Sequence, residues 1–214
     1  EAVIYRNFIE GTTPRGIGVG YHGGVNLAFS ADNMSLDLLW TGNFMDGSKH
    51  WNGRGQGNQP PAGQNVVKVS KGPSFAILKS QTTNWPDKFQ DEMVGRFHGY
   101  KLNSRQEPTF FFTIGKIQIE DMPQAIIGGN KFGLQRAITI TVLDSAPSNV
   151  HFLAASGLAV KDLGGGKFDL GGQAVLEVGK GAANRPYVRN NNELLIPLRL
   201  KRGENILNLR YTWN

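Results

Sequence analysis

The sequence predicts an all-β protein, an antiparallel β-sandwich with long loops and at most one short helix. Short runs of alternating apolar and polar residues recur along the chain, separated by turns rich in glycine, which occurs 28 times, and proline, which occurs 10 times. No helical segment is long enough to connect parallel strands. We therefore expect the strands to pair antiparallel and the sheets to pack face to face.

The composition indicates a folded domain with a sizeable core. Hydrophobic residues make up 39% of the 214 positions, and the chain holds 12 Phe, 5 Tyr and 4 Trp, more aromatic residues than a disordered segment carries. One large β-sandwich accounts for this length, so we predict a single domain over 1–214. The chain has no cysteine, which excludes disulfides, zinc–thiolate sites, thiol nucleophiles and covalently attached c-type haem within it.

The charge is positive and unevenly distributed. The formal net charge is +6, and residues 47–86 hold five lysines and arginines but no aspartate or glutamate. Positive potential of this kind favours anionic partners such as acidic polysaccharide, phosphate or nucleic acid, although a solvated basic face explains the same pattern. The sequence argues against nucleic acid, because it shows neither a recognition helix nor an aromatic RNA-binding signature.

The N-terminal part is predicted to form strands joined by glycine-rich turns. Ala2–Ile9 is rich in β-branched and aromatic residues. The segment GIGVGYHGG matches the glycine spacing of a dinucleotide-binding turn, but such a site needs a following helix to hold the pyrophosphate. Here Val25, Leu27 and Phe29 alternate as in a strand. We therefore interpret the glycines as part of a hairpin, with another alternating strand over Ser35–Trp40.

Residues 42–64 are predicted to form one long loop. The stretch Trp40–Gly57 combines two tryptophans, a histidine, a lysine and an arginine with five glycines, and a Pro/Gly segment follows it. Loops of this length in a compact domain are functional or disordered. We assign Trp40 to the preceding strand and to the core, and Asp46-Gly47 to a turn. The rest of the loop is expected to expose its aromatic and basic groups to a ligand.

The remainder of the chain is predicted to form short strands and one helix. The helix is placed at Asp87–Val94, where an acidic start precedes Phe89 and Met93 on one face. The predicted strands, bounded by glycine and polar turns, are Val66–Val69, Ser74–Lys79, Phe97–Leu102, Thr109–Ile114, Lys116–Glu120, Gln135–Leu143, Val150–Ala154, Leu158–Lys161, Lys167–Leu170, Ala174–Val178, Leu194–Leu200 and Leu207–Trp213.

The residues best suited to bind a ligand lie in the long loop and in one later turn. A sugar site needs flat aromatic faces that stack on pyranose rings and polar side chains that hydrogen-bond hydroxyl or carboxylate groups. The residues that meet these needs are His50, Trp51, Asn52, Arg54, Lys49 and Trp85. The alternative is structural: Trp51 packs the loop onto the sandwich, and the asparagine and glycines only make turns.

Catalysis is less well supported by the residues. Paired carboxylates cleave polysaccharides when one of them has a raised pKa. The candidates are Asp46, Asp87, Asp91, Glu92, Glu120 and Asp121. Structural roles are available for them, such as the turn at Asp46, the predicted helix start at Asp87 and a predicted strand end at Glu120-Asp121. The four histidines show no metal-binding spacing, and no serine lies in a nucleophile-elbow motif. We predict no catalytic residue, metal or cofactor.

Several segments together resemble a known family. They are, in chain order, PRGIGVGYHGGVNLAFSADNMSLDLLWTGNFMD, HWNGRG, GYKLNSRQEPTFFFTIGKIQIED, LQRAITITV, NELLIPLRL and LRYTWN. They resemble an uncharacterised β-domain of large secreted multidomain c-type cytochrome and sugar-dehydrogenase-like proteins of environmental bacteria. The resemblance implies an extracytoplasmic location (periplasmic, cell-surface or secreted), neighbouring domains in the same polypeptide and a link to carbohydrate oxidation or breakdown. It supplies no catalytic residues.

We therefore expect a non-catalytic accessory module of a larger secreted protein that binds carbohydrate, with acidic polysaccharide as one candidate. Two alternatives stay open. One is a carbohydrate-active hydrolase or lyase that uses paired carboxylates, and the other is a structural domain that docks against neighbouring cytochrome or dehydrogenase modules. The sequence has no run of about 18 apolar residues, so no membrane-spanning helix is predicted.

Overall fold

β-Strands dominate the structure, a computed structural model that describes residues 1–48, 57–128 and 131–213, with the backbone alone for residue 131. In chain order the strands are β1 (Val3–Arg6), β2 (Gly16–Gly20), β3 (Val25–Ser30), β4 (Ser35–Thr41), β5 (Gln64–Lys68), β6 (Phe75–Ile77), β7 (Gly95–Leu102), β8 (Pro108–Ile114), β9 (Ile117–Gly128), β10 (Lys131–Val142), β11 (Val150–Ser156), β12 (Val160–Gly164), β13 (Lys167–Leu170), β14 (Ala174–Val178), β15 (Tyr187–Arg189), β16 (Glu193–Pro197) and β17 (Gly203–Trp213).

The strands form three antiparallel sheets, so the predicted all-β sandwich class is confirmed. The five-stranded sheet has the order β1-β2-β3-β4-β5 and follows the chain. The eight-stranded sheet has the order β12-β13-β14-β17-β10-β9-β8-β7, and the four-stranded sheet has the order β15-β16-β11-β6. The C-terminal strand β17 lies between β14 and β10.

One apolar core contains side chains from all three sheets. Phe29 of the five-stranded sheet stacks on Phe110 of the eight-stranded sheet, with ring centroids 4.2 Å apart. The guanidinium of Arg136 on β10 lies 5.5 Å from the ring centroid of Phe152 on β11, so the eight-stranded sheet also faces the four-stranded sheet. Residues of β8 alternate between buried and half-buried, as the two-residue period of a strand requires.

Strands β3 and β4 are buried on both faces. Their second face is covered by a smaller cluster that holds Ile9, Leu38 and Trp40, with Phe44 packed against it. The indole Nε1 of Trp40 donates to the carbonyl oxygens of Asn43 and Phe44, and its ring stacks on Phe44. The assignment of Trp40 to the core is thus confirmed.

The early glycine cluster forms the predicted hairpin. β2 pairs antiparallel with β3 from Gly16 opposite Ser30 to Gly20 opposite Asn26. A Cβ atom at Gly20 would lie 2.7 Å from the Phe44 ring. These glycines therefore leave room for the long loop, and no helix follows them to hold a nucleotide.

The described arms of the long loop are fixed to the five-stranded sheet. Gln59 donates its backbone N–H to the Phe8 carbonyl and accepts from the Glu10 N–H, both at 2.8 Å. Met45 and Pro61 form an isolated bridge between the two arms. Asp46 accepts the Ser48 N–H at 2.9 Å, consistent with the predicted turn.

The predicted helix at Asp87–Val94 is wrong. A single turn of 3-10 helix covers Asp91–Met93, with extended backbone on either side of it. The Gln90 side chain accepts from the Ile77 N–H at 2.8 Å and donates to the Ile77 carbonyl at 3.0 Å. Gln90 therefore satisfies backbone groups at the edge of β6. Because its own backbone is extended, no helix can run through it from Asp87 to Val94.

The sequence prediction also misplaces the end of one strand and misses another strand. Glu120-Asp121 does not end a strand, because β9 continues to Gly128. Asp121 tolerates this interior position because it is paired with buried Arg136 on β10. The short strand β15, Tyr187–Arg189, is absent from the sequence prediction, because three residues show no measurable alternation.

Candidate ligand-binding cleft

The backbone between β5 and β6 joins the five-stranded sheet to the four-stranded sheet. The Val69 N–H donates to the Asp37 carbonyl of β4 at 2.8 Å, while the Val69 carbonyl accepts from the Ser156 N–H of β11 at 2.9 Å. The Lys71 N–H donates to the Ser156 hydroxyl at 2.9 Å. This boundary between the two sheets positions the polar side chains of a surface cleft.

The cleft consists of two neighbouring cavities, which we call the Asp37 cavity and the Trp85 cavity and together the seam cleft. Their volumes are about 450 Å³ and 460 Å³. Asn33, Lys71 and Ser156 line both cavities, so the two cavities are adjacent. The Asp37 cavity is also lined by Thr12, Thr13, Lys68 and Ser70. The Trp85 cavity is also lined by Pro86, Asp87 and Glu193.

Asp37 is a buried carboxyl group at a β-bulge. Ala28 pairs with Leu38 and Phe29 with Leu36, so Asp37 is the extra residue of β4. Bulges re-aim a side chain and are frequent beside functional sites. Asp37 is 3% exposed and lines the cavity. Its Oδ1 accepts the Ser35 hydroxyl at 2.5 Å, and within the described part of the chain its Oδ2 has no hydrogen-bond partner.

The surroundings of Asp37 favour its protonated form. Burial raises its pKa to about 7, since a desolvated carboxylate has lost the water that stabilises its charge. The Ser35 hydrogen bond and the Arg136 charge lower the pKa, and the Asp32 charge raises it. Asp37 thus exchanges its proton near neutral pH, whereas an ordinary aspartate is fully ionised there.

The other polar groups of the Asp37 cavity are mostly donors. The Ser70 hydroxyl is buried and lacks a partner in the described residues. Lys68 and Lys71 also line the cavity, and neither takes part in an ion pair of the described chain. The two lysines are therefore the charged donors that this lining offers to a ligand.

Trp85 is the one predicted ligand residue that the structure describes, and it lies in the cleft. Its Nε1 donates to the Pro73 carbonyl at 2.9 Å, and its half-buried ring packs against a cluster formed by Ala76, Leu78, Leu153 and Leu195. The hydrogen bond fixes the ring orientation. Arg189, bonded to Glu193 and to the Thr83 carbonyl, holds the turn before Trp85 against the four-stranded sheet.

The other predicted ligand residues lie outside the described residues. These are Lys49, His50, Trp51, Asn52 and Arg54. Their assignment to a ligand site stays a prediction from the sequence.

Asp121 and Arg136 form a separate buried pair. The Arg136 Nε donates to both Asp121 oxygens at 2.8 and 2.9 Å, and both side chains are nearly inaccessible. Burial lowers the pKa of Arg136, but Asp121, followed by Tyr211, raises it, and together they outweigh the effect of burial. Both residues are absent from the lining of the seam cleft, and their contacts assign them to the core.

Sequence reasoning missed Asp37 as a site residue. In SLDLLW it occupies a polar position of an alternating strand, which predicts exposure. Its burial depends on the chain around Val69 and Ser156, far away in sequence. Among the described residues, no group of three metal-ligating side chains is close enough to hold an ion.

Comparisons with known proteins assign this chain to no family. No protein-family model matches the chain, and no curated protein sequence matches it significantly. The resemblance to the β-domain of cytochrome and sugar-dehydrogenase-like proteins stays a prediction. Within the described ranges, no helix is long and apolar enough to cross a membrane.

Proposed function

We propose that the domain is a non-catalytic carbohydrate-binding module and that the sugar lies in the seam cleft. The observation that supports this proposal most strongly is the combination of groups in two adjacent cavities. Trp85 lines one cavity, and the other is lined by Asp37, whose Oδ2 has no hydrogen-bond partner among the described residues. A sugar ring needs both an apolar surface for its face and hydrogen-bonding groups for its hydroxyls.

The size of the cleft supports a ligand longer than one sugar. Each cavity, of about 450 and 460 Å³, falls within the roughly 300–1,000 Å³ typical of small-molecule sites. The shared residues Asn33, Lys71 and Ser156 place polar groups where two neighbouring rings would meet. We propose an oligosaccharide segment as the ligand, and an extracytoplasmic multidomain protein as the setting, the latter from the sequence resemblance.

Binding to a glycan array tests the proposal. We expect the wild-type domain to retain at least one glycan, and Trp85→Ala to weaken that binding at least about tenfold, since burying the apolar surface of one large side chain contributes roughly 1.5–3 kcal/mol. Trp213→Ala is the matched control, because Trp213 bonds to the Asn65 carbonyl outside the cleft. A domain that binds no glycan contradicts the proposal.

The predicted loop site is tested in the same array. If Trp51→Ala abolishes binding while Trp85→Ala leaves it unchanged, the long loop and not the seam cleft holds the sugar. Loss with both variants indicates one site that uses both tryptophans. Thermal melts of each variant confirm that the fold is intact.

A second candidate function is hydrolysis or elimination on a polysaccharide. The observation that favours it is a carboxyl group of pKa about 7 in a cleft whose other cavity holds Asp87 and Glu193. A protonated carboxyl is suited to donate a proton to a leaving group. Release of reducing ends from a bound glycan, lost in Asp37→Asn and in Asp87→Asn, would establish the enzyme; binding without turnover supports the non-catalytic module.

A further inference from the structure

The Asp37 cavity offers a distinctive set of groups to a ligand. Two lysines line it, and Asp37 is the only acidic residue among its described lining residues. The threonine hydroxyls are already used: Thr12 Oγ1 donates within its own turn, and Thr13 Oγ1 bonds to Ser30 Oγ at 2.8 Å. Within the described part of the chain, the side-chain groups of this lining that remain unpaired are the two ammonium groups, the Asn33 amide and Asp37 Oδ2, together with the buried Ser70 hydroxyl.

These free groups are complementary to an acceptor. An ionised carboxylate only accepts hydrogen bonds, and its bonds to ammonium groups are the strong, charge-assisted type. A hydroxyl group of a neutral sugar would leave both lysine charges without a partner. Ionised Asp37 is the one group that opposes an acidic ligand, because two carboxylates side by side repel each other.

Protonation of Asp37 removes this conflict. Oδ1 already accepts from Ser35, so the proton resides on Oδ2, the oxygen without a partner. The protonated group donates a hydrogen bond, and the cavity then carries only the lysine charges. An acidic ligand and a neutral Asp37 therefore favour each other.

We propose that the Asp37 cavity binds the carboxylate of an acidic saccharide, and that Asp37 takes up one proton from solvent when this ligand binds. The inference rests on the proposed carbohydrate-binding function and names its ligand class. The Trp85 cavity accommodates a ring of the same saccharide, and Lys71, which lines both cavities, lies between them.

The charged groups around Asp37 are compatible with proton uptake near neutral pH. Asp32, in the turn before β4, raises its pKa, and Arg136 on β10 lowers it. Lys68 on β5 and Lys71 after it line the cavity. The chain around Thr12 and Thr13 and the end of β11 contribute no charged residue to the lining. No histidine is among the described lining residues, and the pKa of Asp37, about 7, lies within the range of the test.

The test uses acidic glycans and the same glycans after reduction of their carboxyl groups, each titrated with wild-type protein at pH 5.5 and pH 8.5. We expect the acidic glycan to bind at least about tenfold more weakly at pH 8.5, because each pH unit above the pKa of the free site costs up to tenfold. At pH 5.5 the reduced glycan should bind at least about tenfold more weakly than the acidic glycan. It lacks the carboxylate that accepts charge-assisted hydrogen bonds from the lysines, and a loss of about 1.4 kcal/mol corresponds to tenfold.

Asp37→Asn is the decisive variant, since it keeps the shape and removes the titration. We expect its affinity for the acidic glycan to be equal at the two pH values. Lys71→Met should weaken binding at both, and exposed Lys161→Met, on β12 away from the cleft, should not. These substitutions keep the test usable if the Asn variant does not fold.

The outcomes separate this inference from the proposed function. Equal binding of acidic and reduced glycans, or the same pH dependence in wild type and Asp37→Asn, overturns the inference and leaves carbohydrate binding standing. If no glycan binds in any condition, the proposed function fails and the inference fails with it.

Discussion

Two aspartates show how the same side chain takes opposite roles in this protein. Asp121 is buried against Arg136, and both its oxygens accept hydrogen bonds from the guanidinium. Asp37 is also buried, but it has one hydroxyl partner and the distant charge of Arg136. A buried carboxylate is stable only where its charge is compensated. The charge of Asp121 is therefore compensated by Arg136, whereas burial favours the protonated form of Asp37.

Asp121→Ala should destabilise the domain by about 3–5 kcal/mol, because it leaves the Arg136 charge buried without a partner. Glu120→Ala, at the adjacent exposed position of β9, is the control and should change stability by less than about 0.5 kcal/mol. Urea unfolding followed by circular dichroism measures both. Equal, small effects would contradict the assignment of the pair to the core.

The pKa of Asp37 predicts a pH dependence of stability. The unfolded chain has the ordinary value of 3.8, and the folded value is about 7. The folded state therefore binds the proton more tightly than the unfolded state. The contribution of Asp37 to the free energy of unfolding is largest below pH 4 and falls as the pH rises to 7. The loss is up to about 4 kcal/mol.

Asp37→Asn should abolish this loss and be more stable than wild type at pH 8. Thermal melts of both proteins between pH 4 and pH 8 test it. Parallel curves for the two proteins would show that folding does not raise the pKa of Asp37.

At the scale of elements, glycines connect the long loop to the five-stranded sheet. The β2–β3 hairpin leaves space for Phe44 at Gly20, and Phe44 stacks on Trp40. In the second arm of the loop, a Cβ atom at Gly63 would lie 2.1 Å from the Thr41 carbonyl oxygen. The glycine-rich composition of this region therefore reflects close packing as well as turns.

Gly63→Ala should destabilise the domain by roughly 1–3 kcal/mol, because the new methyl group forces the loop arm away from β4. Gly128→Ala is the matched control, since a Cβ there meets no atom of the described residues within 4 Å. Denaturant midpoints compare the two. A control that loses as much stability as Gly63→Ala would point to backbone effects instead of crowding.

At the scale of the whole molecule, one core joins the three sheets. The same cluster holds Leu27, Ile138 and Phe152, one from each sheet. The backbone hydrogen bonds of Val69 connect the five-stranded and four-stranded sheets directly. Nothing in this packing offers a boundary at which one sheet would unfold alone.

The shared core predicts cooperative unfolding over 1–214. Tryptophan fluorescence, which reports on Trp40 in the five-stranded sheet and Trp85 beside the four-stranded sheet, should give the same urea midpoint as far-UV circular dichroism. Two separated transitions would contradict the predicted single domain.

The alternation of side chains predicted most of the strands correctly, because a two-residue period is visible over a few neighbouring residues. Local patterns failed where a contact with another segment decided the structure. Gln90 bonds to Ile77 in place of the predicted helix, and the pairing with Arg136 allows β9 to continue past Asp121. Of the predicted ligand residues, Trp85 lines a cavity of the seam cleft, and its role in binding a ligand stays a prediction.

The sequence by itself determined the all-β class, the approximate strands, the burial of Trp40 and the hairpin role of the early glycines. Each of these depends on residue type and spacing over a few positions. Only the tertiary structure decided that Asp37 is buried, that it shares a cavity with Lys68, Lys71 and Ser156, and that the cavity of Trp85 lies next to it. The physical reason is that desolvation, which sets the proton affinity of Asp37, is produced by segments that meet only when the sheets pack.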